Sequence, residues 1–226
     1  MVEQYEDIHL LEKYDYVLGV DEVGRGCIAG PVTVGCVMIT KESSLIKGVK
    51  DSKKLSKKLR GEIYSKSREN SENIFFISDV TNEVIDEIGI SNSIRRAITE
   101  SVERVLSIIS NSSLKGILFI DGYFKDNFQL DIESKMIIKG DDKCYSIGLA
   151  SILAKVHRDE IMGNVSSDYP EFDFASNVGY GTKKHLLALR KFGYCNQHRK
   201  SFEPLKSSIL NNSISPIEYY GSVAQR

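Results

Sequence analysis

The chain has 226 residues, of which 41% are hydrophobic and 27% charged, with 30 Lys+Arg against 31 Asp+Glu for a net charge of −1. That is room for one large domain with a real core and the make-up of an ordinary soluble globular protein. No apolar run approaches the ~18 residues of a membrane-spanning helix, and the acidic start MVEQYEDIH has no apolar stretch of the signal-peptide kind.

The near-zero net charge hides a pattern. Residues 41–70 carry ten Lys/Arg against four Asp/Glu, residues 183–206 carry seven against one, and residues 71–142 reverse the sign with thirteen acids against seven bases. Basic blocks around an acidic middle suit a polyanion held at its edges and processed over carboxylates, although an unevenly charged solvated surface looks the same. The cysteines, Cys27, Cys36, Cys144 and Cys195, form no C-x-x-C pair and have no histidine at zinc-finger spacing. They read as reduced, mostly buried thiols of a cytoplasmic protein.

In chain order, the first strand is Tyr16–Glu22. It ends on two carboxylates and runs into a glycine-rich turn, and Gly24, Gly26 and Ala29 there also spell a dinucleotide-binding fingerprint. That fingerprint needs a helix after the turn to hold the pyrophosphate. Here Gly30-Pro31 is followed by a second strand, Val32–Ile39, which rejects it. So short a connection makes the two strands antiparallel neighbours. A third strand spans Asn73–Val80, and the apolar spacing of Ile94, Ala97, Ile98, Val102, Val105 and Ile109 predicts a helix over Ser93–Ser110. Its place before the strand Gly116–Asp121 is that of a crossover in a parallel pair. A fifth strand covers Lys135–Lys139, then helices cover Ser146–Met162 and Lys183–Phe192, and residues 207–226 are a short helix or a tail. The expected fold is α/β: one mixed five-stranded sheet with helices, a core over 1–160 and a C-terminal helical segment and tail over 161–226.

The chemistry sits at strand ends. Asp21 and Glu22 close the first strand, Asp121 the fourth and Asp141 the fifth, with Asp142 beside Asp141 as an equal candidate. Any one of them is an ordinary turn or capping residue. Together they are carboxylate oxygens gathered at one sheet edge, the donor set of Mg²⁺ or Mn²⁺. Neighbouring residues of an ideal strand point to opposite faces, so Asp21 and Glu22 need a twisted strand end, or a carbonyl ligand, to act together.

The motifs GVDEVGRGCIAGPV (19–32), DSKKLS (51–56), FIDG (119–122), KGD (139–141), ASILAKVHRD (150–159), GYGTKKH (179–185) and HRKSF (198–202) closely resemble those of the ribonuclease HII family, over roughly residues 15–207. Cys27 stands where that family often has proline. The resemblance implies a ribonuclease H-like core and a metal-dependent endonuclease. Such an enzyme cuts the RNA strand of RNA/DNA hybrids and incises 5′ of single ribonucleotides embedded in duplex DNA, leaving 3′-hydroxyl and 5′-phosphate ends, in the service of ribonucleotide removal and genome maintenance. It places the catalytic, metal-binding acids on Asp21, Glu22, Asp121 and Asp141, and implies two Mg²⁺ or Mn²⁺ ions with substrate. Two ions about 3.5–4 Å apart can both activate a water and stabilise the leaving 3′-oxygen. The 2′-hydroxyl is what marks a ribonucleotide. The resemblance assigns its recognition to the turn Gly24, Arg25 and Gly26, and stacking on the neighbouring deoxyribose to Tyr180. Lys53, Lys54, Arg158, Lys183 and Lys184 are candidate phosphate contacts. Asp159 is the runner-up acid, although Lys155 one helical turn earlier offers it an ordinary ion pair. His185 and His198 serve proton transfer or packing. The ribonuclease HIII branch is the nearest alternative, set aside because the turn is intact. A non-catalytic hybrid-binding module is the alternative from another class. The expected partners are RNA/DNA hybrid and ribonucleotide-containing duplex DNA, with no membrane, and the expected state is a monomer.

Overall fold

The computed structural model describes residues 5–70, 72–109, 113–125 and 128–217. Five strands, β1 (Tyr16–Val23), β2 (Val32–Thr40), β3 (Ile74–Val80), β4 (Gly116–Asp121) and β5 (Glu133–Ile137), form one sheet in the order β3-β2-β1-β4-β5. The β1–β2 pair is antiparallel, as the short turn dictates, and β1–β4 and β4–β5 are parallel. The helices are α1 (Glu6–His9), α2 (Lys57–Glu69), α3 (Asn82–Ile88), α4 (Ile90–Leu106), α5 (Gly140–Lys143), α6 (Tyr145–Asp168), α7 (Phe174–Asn177), α8 (Lys183–Phe192) and α9 (Leu205–Leu210).

The expected helix at Ser93–Ser110 is α4, shifted toward the N-terminus, with Ser110 itself outside the described residues. The crossover it makes is longer than expected. It leads not to a strand beside β3 but across β2 and β1 to β4, which pairs parallel with β1 and leaves β3 at the edge of the sheet. The short helix α9, Leu205–Leu210, starts two residues ahead of the 207–226 stretch and covers only its first four residues, and residues 218–226 lie outside the described set.

Strand alternation sorts the sheet into two faces. Leu18, Val20, Val34, Cys36, Met38, Leu118 and Ile120 pack under α4 through Ile94, Ala97, Ile98, Val102 and Val105. Val17, Val37, Ile39, Ile117 and Phe119 pack under α6 through Ile147, Ala150 and Leu153. The α6 face is unusually close to the sheet. A Cβ at Gly19 would run into Ser146 and Ile147, and one at Gly35 into the Ala150 carbonyl. Asp21 follows Gly19 on that same face and pairs across the ladder with Gly35, so the close approach of α6 brings the helix onto Asp21.

The start of α6 is capped from a distance. Cys144, at its N-terminus, supplies no side-chain cap. Instead the buried Asp7 carboxylate accepts the backbone N–H groups of Tyr145 (2.8 Å) and Ser146 (2.7 Å) and the Ser146 hydroxyl (2.6 Å). A carboxylate there satisfies orphan donors and complements the helix dipole. The helix then runs unbroken through residue 160. Its later turns join a third apolar cluster, in which Met162 packs with Phe172, Phe174, Ala188, Leu189, Cys195 and Leu205 and with Ile28 and Ala29 of the β1–β2 connection. The C-terminal helices therefore seat directly on the glycine-rich turn.

Candidate active site

A cavity of about 480 Å³ opens where β1 and β4 end. Asp21, Glu22, Gly24, Arg25, Gly26, Ser52, Lys53, Arg60, Asp121, Ser151, Lys155 and Tyr180 line it. Asp21 and Glu22 share it because β1 terminates just beyond them and the cavity wraps the strand end. The Asp21 Oδ1 accepts the Glu22 N–H at 2.8 Å. Ser151 of α6 stands beside it in the cavity wall, and Ser151 and Ser52 are linked hydroxyl to hydroxyl at 3.0 Å. Asp121 closes β4, and its Oδ1 accepts the Gly140 N–H at 2.6 Å, which docks the start of α5 against the strand end.

Asp141 and Asp142 separate cleanly. Asp141 is buried on α5 and feels the charges of Asp51 and Asp121. Asp142 is exposed and takes both its oxygens to Lys54 Nζ at 2.6 Å. Asp141 does not touch the cavity wall itself; it stands behind Asp121, since β5 ends at Ile137 and two turn residues precede α5.

The electrostatics are those of carboxyls lacking a counter-charge. Burial, followed by the neighbouring Glu22, holds the Asp21 carboxyl well above its ordinary range, with Asp121 and Asp141 adding to the effect against the opposing Ser151 hydroxyl. Glu22 is raised by burial first, partly offset by Arg25, whose NH1 donates to its Oε1 at 3.4 Å. Asp141 is pushed up to about 6, chiefly by burial and then by Asp51 and Asp121. No ion pair to Asp21 or Asp141 occurs among the described residues. Nor do any three acid, His or Cys side chains among them converge tightly enough to form a finished ion cage. Like charges without a cation separate, and hard carboxylate oxygens facing one cavity are the donor set a divalent oxygen-seeking ion requires. The residues fit such an ion by donor type and by unmet charge.

On the opposite wall the turn is held from behind. Gly24 has φ +91°, and a Cβ there would strike the Arg158 guanidinium. Arg158 is fully buried, and its Nε and NH1 donate to the carbonyls of Pro31 and Val178 at 2.8 Å, with NH2 on Ala29 at 3.2 Å. This corrects its reading as a phosphate contact: every edge of the guanidinium is spent on backbone, out of reach of solvent. Arg199, also fully buried, donates to the carbonyls of Gly30, Pro31 and Arg25 at 2.9, 2.9 and 3.2 Å. Its position in the HRKSF motif was visible, but a buried cation bonded only to carbonyls leaves no periodic signature.

Among the other cations, Lys53 lines the cavity, whereas Lys54 is taken by Asp142 and Lys184 Nζ by Asp173 at 2.6 Å. Lys183 is exposed in the first turn of α8. Asp159 is not brought to the four acids. It accepts from Lys155 Nζ at 2.7 Å and faces a separate groove between α2 and α6. Arg60, Lys155, Ser52 and Ser151 are cavity residues that pattern reading passed over; α2, which carries Arg60, has a largely polar surface with Ile63 and Ser67 buried. Tyr180 is 44% exposed and lines the cavity on the same side as the turn, next to Gly179, whose carbonyl accepts the Ile28 N–H.

Mixed strand order, strand-end acids and a helix crossing the sheet at close range define a protein of the ribonuclease H class. The ribonuclease HII family profile matches residues 18–205. The chain is 42% identical over 205 residues to ribonuclease HII of Chlamydia muridarum, covering 91% of this chain and 90% of that one. It is 40% identical over 199 residues to the Caldicellulosiruptor saccharolyticus ribonuclease HII, covering 88% and 92%. Among solved structures, ribonuclease H2 of Pyrococcus horikoshii superposes with a TM-score of 0.68 at 24% identity, over 88% of this chain and 98% of that one. Bst-RNase HIII in complex with Mn²⁺ superposes with a TM-score of 0.64 at 15% identity, over 91% and 73%. The chain belongs to the ribonuclease HII family and is a ribonuclease H endonuclease. Among the described residues no helix is long and apolar enough to cross a membrane.

Proposed function

We infer that this enzyme hydrolyses the RNA strand of RNA/DNA hybrids and incises on the 5′ side of a single ribonucleotide in duplex DNA, leaving 3′-hydroxyl and 5′-phosphate ends. The observation that carries this reading is one cavity with carboxylates on one wall, Asp21 among them without a cationic partner in the described residues, and a backbone turn with a tyrosine on the other. Asp21, Glu22 and Asp121, supported by Asp141, are the residues that would hold divalent ions, Mg²⁺ or Mn²⁺; the Mn²⁺ complex of the structural relative Bst-RNase HIII supports that choice. When bound, such ions activate water and stabilise the leaving oxygen at a phosphodiester.

The protein's own groups do the rest. The Glu22 N–H orients the Asp21 carboxylate, and the Gly140 N–H orients Asp121. With the Arg25 carbonyl drawn back onto Arg199, and the carbonyls of Ala29, Gly30 and Pro31 just beyond it held by Arg158 and Arg199, the Gly24–Gly26 turn presents backbone to the cavity. A Cβ at Gly26 would meet nothing within 4 Å, so a sugar can approach that backbone closely. Tyr180 stacks against the next sugar, and Lys53 meets phosphate. The enzyme acts in ribonucleotide removal, in the cytoplasm, as a monomer with a catalytic core and a C-terminal segment that completes the site. The test is incision of a duplex bearing one ribonucleotide, with Mg²⁺, with Mn²⁺ and with chelator. Metal-dependent cutting 5′ of the ribonucleotide is expected; binding without cutting would overturn the reading.

A further inference from the structure

Two histidines buried in the C-terminal lobe have no place in the site as described. His185 lies on α8, His198 follows Cys195, and both are fully buried against Phe172 and Phe174. Their Nε2 atoms are 3.0 Å apart. His185 Nδ1 is 2.9 Å from the Tyr180 carbonyl oxygen, and His198 Nδ1 is 3.0 Å from the Cys195 backbone nitrogen. His198 Nδ1 also lies 3.2 Å from Cys195 Sγ and 3.3 Å from the Cys195 carbonyl oxygen, but a proton on it would oppose the nearer Cys195 N–H and leave two bare Nε2 lone pairs facing each other, so the shorter contacts set the proton arrangement. The Cys195 N–H can only donate, so His198 Nδ1 accepts; the Tyr180 carbonyl can only accept, so His185 Nδ1 donates. That leaves one proton for the pair, carried by His198 Nε2 and donated to His185 Nε2. Both rings are neutral, in keeping with burial lowering both: His185 downward, His198 to about 3.

The ends of this chain of bonds are what matter. His198 sits in a segment paired with the recognition turn's return path: the Gly30 N–H donates to Gln197 O and the Arg199 N–H to Ile28 O, each at 2.8 Å. The other end is the backbone of Tyr180 itself, beside Gly179, whose carbonyl accepts the Ile28 N–H at 2.9 Å. The histidine pair thus joins the segment that carries the turn to the tyrosine that lines the cavity beside it. Apolar packing alone would need no directed proton between the rings.

We propose that the His198–His185 bond is a positioning link that fixes Tyr180 relative to the Gly24–Gly26 turn and thereby sets the enzyme's preference for a lone ribonucleotide over continuous RNA. This rests on the reading of Tyr180 as a substrate contact given above. Neither histidine touches substrate; each acts through Tyr180.

The test compares kcat/KM on a duplex with one ribonucleotide to kcat/KM on a continuous hybrid, with Mg²⁺. His198→Leu lowers that ratio about 10-fold, a modest share of what a misplaced contact of ~1 Å can cost. His198→Gln, whose amide keeps a donor toward His185, restores the ratio to within about twofold of the starting protein, on the same scale. In a Tyr180→Ala background, His198→Leu changes the ratio no further. If a melt shows the leucine variant unfolded, His185→Asn, which cuts the link but keeps a donor toward the Tyr180 carbonyl, is measured instead and lowers the ratio likewise. An unchanged ratio in either folded variant, or an equal loss with and without Tyr180, overturns the proposal. Tyr180→Ala leaving the ratio intact would instead remove the reading of Tyr180.

Discussion

The two walls of the cavity are built on opposite principles. The wall of the glycine turn, to which the proposed function gives recognition, is finished: two buried arginines hold the carbonyls of residues 25, 29, 30, 31 and 178. The acidic wall is unfinished. The carboxyls of Asp21, Glu22 and Asp141 are raised in pKa, Asp21 and Asp141 have no cationic partner, and no three acids close on one point among the described residues. The difference teaches where the free energy of each wall comes from. The turn's geometry is drawn from folding, whereas the acidic wall carries repulsion that a divalent ion would relieve.

The contrast can be broken most directly at Asp21. Asp21→Asn is expected to cut turnover by about 1,000-fold, since it removes a group acting on several kcal/mol of transition-state stabilisation. The same change raises the melting temperature in chelator, because it deletes a buried charge that costs the native state at neutral pH. Thermal melts and single-turnover assays check both signs; a melting temperature that falls would mean the acidic wall is not under charge strain.

The recognition wall predicts the opposite sign. Arg158→Ala strands buried carbonyls and should lower unfolding free energy by about 3 kcal/mol or more. Arg158→Lys recovers little of it, because an ammonium cannot span three carbonyls as a planar fork does. The salt dependence of substrate binding is unaffected in the lysine variant, whereas loss of a phosphate contact would flatten it.

Next in size is acid sensitivity. His198 is depressed from 6.5 to about 3, so the unfolded chain takes up a proton that the folded chain refuses. The stability this contributes is fully present above about 6.5 and is lost progressively as pH falls toward about 3. Asp141, raised from 3.8 to about 6, works the other way, favouring the fold as pH falls through that window. Between pH 7 and 4 the denaturant midpoint of the parent should therefore drop relative to that of His198→Gln, which lacks the histidine's contribution. The smallest effect is at Lys53: its replacement by alanine should weaken binding evenly across nucleic-acid sequences and reduce the salt slope by about one.

Much of this was legible in the sequence because it is local. The strand-end acids, the glycine turn and α8 over Lys183–Phe192 announce themselves by periodicity or by motif. What was not legible is long-range. Asp7 caps a helix that begins at Tyr145, and Arg199 grips carbonyls near residue 30; nothing in the neighbourhood of either residue points to its partner. Arg158 was misread for the same reason: a charge in a helix looks alike whether it faces phosphate or a buried loop. The path of the chain from β3 to β4, across β2 and β1, is a property of the assembled sheet.

Anomalous diffraction from crystals of the enzyme soaked in Mn²⁺ tests the central claim most directly. The account predicts ion density bounded by the carboxylates of Asp21 and Asp121, with those side chains drawn inward and the Gly24–Gly26 backbone unmoved. Manganese bound elsewhere, or a turn that reshapes while the acids stay apart, would contradict it.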